Sequence, residues 1–563
     1  MAKRNMIRGV VFLTFLICFG VFITGAQEAD PQLVLKNADQ LFLKKNYKDA
    51  FQEYEKFIKI AEKGADWHRA NTRIITCKLR LSLYDEALKS AENYAKMCSG
   101  TPYEARAERL TGNLYMSIPH WGTRAGGEFL RAQHKQGIRL RSEKHDKKKA
   151  LEHMERARKL YEKYDKNRKA LSVLSKEEQE NWHNERIDCI FDLANILSRF
   201  GIYETPWRFW YSWWSERDDF IAETAGEEDF DEYYSDWQLQ RKRPIGLRVG
   251  ADGKPVFPKT PKEYSENLSD DERILFLLEE ARELDETENH KYAGLSWYRQ
   301  AMLSRTRFGM DRLNNYAGFY YNGSKRPLQE ELEDFNPWEL KDNEALVLAG
   351  GRIQKRELPE EWDVLGILRL VAGEFADCGI ADQAQYAIGL YYQSRQQYTD
   401  ALSEYGKLKR NFKDSQWSMT SESHINLIKK PQLHINQTGV QLSGEPARLQ
   451  LSHRNAKRVW FVARRIDVKG FMEEVRNQEI DKYKGIPGWW SLRSWHSVFA
   501  NPHNRDNIIS KISVKYVGEV VASWEDELED DGTYRYSQAT VQTPISDAGA
   551  YLVYGYLSKP PEE

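Results

Sequence analysis

Asp382–Phe412 reads DQAQYAIGLYYQSRQQYTDALSEYGKLKRNF, and Pro431–Asp467 reads PQLHINQTGVQLSGEPARLQLSHRNAKRVWFVARRID. In the first stretch Tyr386, Leu390, Tyr391, Tyr398, Ala401, Leu402 and Tyr405 recur every three or four residues, so two helices can bury them on shared faces. In the second, Leu449 and Leu451, then Val459, Phe461 and Ala463, alternate at the two-residue period of a strand with one buried face. This change of period across a short polar connector predicts a boundary at 430/431. Chain before it is expected to be α-helical, and chain after it β.

With 563 residues the chain exceeds a single core and implies several domains or a helical array. Lys+Arg 83 against Asp+Glu 85 leaves a net charge of −2, which gives no global electrostatic basis for nucleic-acid binding. At the N-terminus Lys3, Arg4 and Arg8 precede the apolar run Gly9–Ile23 and the small residues of Thr24-Gly25-Ala26. This is the pattern of a cleaved secretory signal over 1–26. The run is short for a span of about 20 residues, and the alternative is an uncleaved anchor in the inner membrane. Cys18 sits inside the run without a lipoprotein-like setting. Cys77, Cys98, Cys189 and Cys378 lack CxxC spacing. Cys77 and Cys98 either pair across neighbouring helices or remain buried thiols, and the thiol reading is preferred.

Along the chain, helical hairpins are expected over Asn37–Lys45 with Tyr47–Ala61, and over Asp66–Leu83 with Tyr84–Met97. Each second helix opens alike: Tyr47-Lys-Asp-Ala50-Phe, Tyr84-Asp-Glu-Ala87-Leu and, at the junction, Tyr398-Thr-Asp-Ala401-Leu. The tyrosine packs at the turn, the acid suits a helix N-terminus, and the alanine lets two helices approach. Helices continue at Tyr103–Ser117, Lys147–Tyr164, Ser175–Phe200, Ser269–Glu286, Tyr292–Arg307, Trp362–Cys378 and Trp417–Ile428. His120–Gly127 reads as a glycine-rich turn without the Gly-Lys-Ser/Thr of a phosphate loop. An irregular insertion is expected near 223–265, with a small hairpin from Leu247–Val249 and Val256–Phe257. Lys325–Pro337 reads as a loop. The β part, 431–558 before a short tail at 559–563, carries strands at Gln432–Gln437, Ala447–Arg454, Arg458–Ile466, Ile512–Trp524, Tyr536–Thr543 and Ala550–Leu557. A helix is expected at Phe471–Tyr483. Such short strands with turn punctuation predict an antiparallel sandwich.

The tyrosine–alanine hairpins, about 37 residues apart in the first two copies, are similar to tetratricopeptide repeats, with their period of about 34 residues. The run Pro431-Gln-Leu433, Leu442-Ser-Gly-Glu445, Leu449, Leu451, Arg454-Asn455, Val459, Phe461 and Arg465-Ile-Asp467 resembles the first macroglobulin domain of bacterial alpha-2-macroglobulin-like proteins. So does the closing Asp547-Ala-Gly-Ala-Tyr551-Leu-Val. The resemblance implies a multidomain α-then-β fold: a tetratricopeptide-like α-solenoid over 27–430, then a macroglobulin-like β-sandwich. It further implies a non-enzymatic, protein-binding place in the periplasm or cell envelope, beside protease inhibitors of that family. The family's Cys-x-Glu-Gln thioester is missing here, since Cys378 is followed by Gly-Ile-Ala, and there is no bait region. No family functional residue therefore carries over. The expected partner is a protein or peptide in the groove of the helical array, or further macroglobulin domains. The alternative is a general envelope assembly scaffold with no inhibitor role.

No catalytic site, cofactor or metal site is legible. There is no H-E-x-x-H or G-x-S-x-G; the pairs His145/His153 and His496/His503 lack an evident third ligand. Glu525–Asp531 lacks the spacing of a calcium loop and reads as a solvated hairpin tip. The basic stretches Arg139–Lys149 and Arg241–Arg243 read as solvated faces. Trp207, Trp210 and Trp214 share one helical face, and Trp489 and Trp490 lie in a second aromatic stretch. They are the candidate aromatic binding patch, for sugar or a partner's apolar side chains, although anchoring between helical layers explains them better.

Overall fold

The computed structural model describes residues 30–133, 136–198, 231–232, 254–308, 336–349, 352–436, 441–470, 473 and 516–560. An N-terminal helical region is followed by antiparallel sheets in the C-terminal half. Two compact units divide the chain. The first takes the described residues up to 308 together with Lys341–Ile380; the second takes 336–340 with Ala381 onward.

In the first unit the helices are α1 (Pro31–Leu43), α2 (Tyr47–Ile60), α3 (Ala65–Arg80), α4 (Tyr84–Met97), α5 (Pro102–Ser117), α6 (Glu143–Lys166), α7 (Lys176–Ser198), α8 (Asp270–Glu283), α9 (Lys291–Phe308) and α10 (Val364–Gly373). Each of α1 to α7 packs on the next. The core is built of overlapping layers. Leu35 and Ala38 of α1, Ala50, Tyr54 and Phe57 of α2, and Ala70, Ile74 and Cys77 of α3 share one cluster. Trp67 and Ile75 of α3 belong to the next, which runs on through α4, α5, α6, α7 and α8. Alternate helices touch as well: Arg69 of α3 pairs with Asp39 of α1 at 2.9 Å, and the Arg73 guanidinium lies 4.2 Å from the Phe42 ring.

Capping chemistry fixes several helix starts. Ser269 and Glu272 form a reciprocal capping box at α8. At α7, Ser175 N donates to Glu178 at 2.9 Å, and Glu178 N donates to Ser175 Oγ at 3.3 Å.

Two antiparallel hairpins depart from the helical reading. The segment read as a turn from His120 contains β1 (Trp121–Ala125) paired with β2 (Glu128–Arg131) and with β3 (Ile138–Arg141), and β3 pairs with β4 (Asp231–Glu232). Gly126 and Gly127 turn the hairpin with φ of 62° and 85°. β5 (Glu344–Ala349) pairs with β6 (Arg352–Glu357) where no strand was expected. Val256–Phe257 forms no strand, and its expected partner Leu247–Val249 lies outside the described residues. The signal segment and the expected helix Phe471–Tyr483 also lie largely outside them.

In the second unit α11 (Ala381–Ser394), α12 (Tyr398–Asn411) and α13 (Gln416–Lys429) precede two three-stranded antiparallel sheets. One has the order β11–β8–β7, from β7 (Gln432–Ile435), β8 (Arg448–Arg454) and β11 (Ser537–Gln542). The other has the order β10–β9–β12, from β9 (Arg458–Ile466), β10 (Val517–Glu527) and β12 (Tyr551–Tyr556). Leu449, Leu451, Val459, Phe461 and Ala463, the period-two positions of the sequence, are all buried, and both sheets contribute to one apolar cluster.

The change of period at Pro431 lies inside this second unit. Arg454 of β8 donates to Leu427 O of α13, and its guanidinium sits 5.5 Å from the Tyr398 ring and 5.2 Å from the Tyr536 ring. Asn455 (φ 53°) donates to Ile428 O at 2.6 Å. Backbone carbonyls left at the end of α13 are thus satisfied by strand-turn side chains. Helix hairpin and sheets share polar contacts at this junction.

Candidate protein-interaction surfaces

The three tyrosine–alanine motifs occupy equivalent backbone turns. Lys45, Ser82 and Gln396, two residues before Tyr47, Tyr84 and Tyr398, all have φ of 60°. In each turn the next residue closes a six-residue ring: Asn46 N to Leu41 O, Leu83 N to Lys78 O and Gln397 N to Tyr392 O, at 2.9, 2.9 and 3.0 Å. This is a Schellman-type stop that satisfies otherwise orphaned carbonyls. Each tyrosine is the first residue of its helix, and Ala50, Ala87 and Ala401 follow three residues later, all with zero exposure. The Tyr47 ring meets Phe42 edge-on at 5.6 Å, across the turn. Tyr398 instead faces Arg454, as described above.

Close approach in the junction hairpin also needs Gly389. A Cβ there would fall 2.6 Å from Tyr405 Cδ1, whose ring is held by a 2.7 Å bond from its hydroxyl to Gln393.

Buried and half-buried charge pairs link the later helices. Arg106 and Arg109 of α5 reach Glu185 and Asp192 of α7 at 2.9 and 2.7 Å. Arg158 of α6 and Arg186 of α7 share Glu280 of α8, while Arg273 of α8 pairs with Glu155 of α6 at 2.6 Å. The β1–β3 hairpin is fixed to α6 by Asp146, which has no exposed surface. Its carboxylate accepts from Arg131 Nη1 and Nη2 at 2.7 and 3.0 Å, from Ser142 Oγ at 2.6 Å and pairs with His120 Nδ1 at 2.9 Å. Burial pushes its pKa up, but the bonds from His120 and Arg131, the Arg131 charge and the Ser142 bond outweigh it. The result is a pKa of about 2.

Among the described residues, the cysteines and histidines sit in structural rather than activated settings. Cys98 Sγ lies 3.8 Å from His68 Nδ1, a cysteine–histidine pair at first sight. Burial pushes the thiol up to about 11 and the imidazole down to about 4, so both are neutral near pH 7 and the thiol is not activated. Cys77 is likewise pushed up to about 11, and Cys189 to about 12. Cys77 and Cys98 are buried thiols, and they sit in different apolar clusters. His153 Nδ1 lies 2.5 Å from Glu108, whereas His145 lies beside Asp146. Among the described residues no group of three or more His, Cys, Asp or Glu side chains can hold a metal ion, and no helix is long and apolar enough to cross a membrane.

What the described surface does offer is apolar area. Leu33 and Leu43 of α1 are 66% and 79% exposed, and Met419 and Leu427 of α13 are 69% and 51% exposed. Tyr554 and Tyr556 of β12 stand opposite Val462 and Trp460 of β9 on the sheet face that does not enter the core. Trp207, Trp210, Trp214, Trp489 and Trp490 lie outside the described residues. The shared αL turns carried no sequence signal, because Lys45, Ser82 and Gln396 are not residues that favour positive φ. The Asp146 hub was equally hidden, as one acid in a lysine-rich helix start. Searches against protein-family models and against curated proteins return no match for this chain.

Proposed function

We propose that this chain is an exported, non-enzymatic protein-binding module, in which a tetratricopeptide-like α-solenoid presents a groove to a protein or peptide and a macroglobulin-like β-sandwich follows it. The observation that carries this reading is the recurrence of one hairpin. Three turns share the φ of 60° and the same six-residue hydrogen bond, ahead of a tyrosine and a wholly buried alanine. Repeats of that kind bury their faces against neighbours and leave an extended surface free for a partner. The signal-like N-terminus supports export to the cell envelope, and the β residues that resemble a macroglobulin domain support a place beside alpha-2-macroglobulin-type protease inhibitors. The alternative is a general envelope assembly scaffold without an inhibitor role, which the same recurring hairpin fits.

Displayed peptides panned against the mature chain test the binding claim. An enriched sequence that binds saturably, and loses affinity when Leu33 and Leu43 are changed to Asp, supports it. No enriched sequence on a folded chain overturns it. Titration against endoproteases separates the two readings: slowed cleavage of a protein substrate favours the inhibitor line, and unchanged cleavage favours the assembly scaffold.

A further inference from the structure

In the first unit, α8 packs against both α7 and α9. The Phe191 ring of α7 meets Tyr292 near the start of α9, at 6.3 Å. Further along the same two helices a cavity of about 220 Å³ opens. It is lined by the apolar side chains of Ala194, Ile274, Leu278, Met302 and Leu303, with Asn195, Ser198, Arg299 and Thr306 as its polar members.

Among the described residues of that lining, Arg299 is the one charged member. Its Nη1 donates to Phe191 O at 3.3 Å and to Asn195 Oδ1 at 3.2 Å, and its guanidinium lies 4.2 Å from the Phe191 ring centre. All of these partners are neutral. Among the described residues Arg299 has no ion pair, and its Nε and Nη2 make no hydrogen bond. The carboxylates of Asp192 and Asp188 act on it only through their charge: Asp192 takes Arg109 and Asn113, and burial holds the Asp188 pKa above the usual carboxylate range. Burial lowers the Arg299 pKa, and the charges of Asp192 and Asp188 offset this only in part. A partly desolvated guanidinium with two open donors, at the wall of an apolar cavity, is complementary to one carboxylate carrying an apolar chain.

We propose that this cavity binds a short aliphatic monocarboxylate, with the carboxylate on Arg299 and the chain against Ile274, Leu278 and Leu303. The site is smaller than the ~300–1,000 Å³ usual for drug-sized ligands, which restricts it to small acids. It is independent of the repeat-motif observation behind the scaffold reading, since none of Tyr47, Ala50, Tyr84, Ala87, Tyr398 and Ala401 lines it.

Calorimetric titration of the full chain with octanoate tests it, with octanol as the uncharged analogue of equal length and acetate as the acid without a chain. Saturable octanoate binding is expected, with octanol and acetate each weaker by roughly tenfold or more. Arg299→Gln should weaken octanoate by on the order of ten- to a hundredfold while leaving octanol unchanged. Thr306→Trp, an exposed lining position at low risk of misfolding, should block both. Absence of saturation with octanoate, equal affinity for octanol, or unchanged octanoate binding in Arg299→Gln with native circular dichroism would each overturn the proposal. If Arg299→Gln fails to fold, the octanol comparison and Thr306→Trp decide it.

Discussion

Replacing Asp146 by Asn removes the charge on which the β1–β3 hairpin is fixed to α6. The wild-type carboxylate is fully buried and its pKa is held at about 2, against an ordinary value of 3.8. At about 1.4 kcal/mol per pKa unit, that depression corresponds to about 2 kcal/mol of stability. A second route gives a similar size. Arg131, with 4% of its side chain exposed, would retain one carboxylate, Asp85 at 3.2 Å and 43% exposed, beside its bonds to Pro119 O and Ser142 Oγ, each at 2.8 Å. Orphaning one partner of a buried pair costs about 3–5 kcal/mol, and the remaining Asp85 contact moderates it. We therefore expect Asp146→Asn to destabilise the unit by about 2–3 kcal/mol at neutral pH.

The sign with pH follows from a depressed carboxylate pKa. The contribution is complete above the unfolded-state value, near pH 4, and is lost as pH falls through about 2. Urea unfolding of both proteins, followed by tryptophan fluorescence and by amide exchange of residues 121–141, should show the largest gap at neutral pH and a narrowing gap in acid. A gap under about 0.5 kcal/mol, or one that does not narrow in acid, would refute the assignment of Asp146 as the anchor of the hairpin.

Three further perturbations follow from the hairpins and thiols. Gly at Lys45, Ser82 or Gln396 should be neutral or stabilising by up to about 1 kcal/mol, because relief of the αL cost offsets the added unfolded-state entropy; thermal melts check this, and a clear loss at all three would contradict the shared turn. Gly389→Ala should destabilise by about 1–3 kcal/mol, since overpacking against the Tyr405 ring outweighs the gain of about 1 kcal/mol in helix propensity. Urea midpoints read it, and stabilisation would show that the helices do not approach closely. The raised pKa values of Cys77, Cys98 and Cys189 predict negligible alkylation of these three thiols in the native chain at mildly alkaline pH and full alkylation in urea. Rapid native labelling, read by mass spectrometry, would contradict their burial.

The helices and core strands were legible because their periods are strong. Leu449, Leu451, Val459, Phe461 and Ala463 alternate, and Ala50, Ala87 and Ala401 recur after a tyrosine. The hairpins at 121–131 and 344–357 were not, because strands of four to six residues carry too few alternations to outweigh a helical neighbourhood. Charge was the hardest to read. Arg139–Lys149 looks like a solvated face, yet it contains the buried Leu140, Ser142 and Asp146. Glu155, Arg158, Arg186 and Arg273 pair across helices, and only tertiary packing brings them together. For the cavity, no local pattern marks Arg299, since its surroundings come from three separate helices.

The most direct test of the binding account is in-cell photo-crosslinking from a photoreactive residue placed at Leu33, Leu43 or Met419, each exposed on a helix flanking a repeat turn or closing the last hairpin. The account predicts discrete adducts with the same envelope protein from more than one of these positions, competed by that purified partner and absent when the probe sits at the buried Ala50. Only uncrosslinked chain, or a diffuse ladder equal at every exposed position, would contradict it.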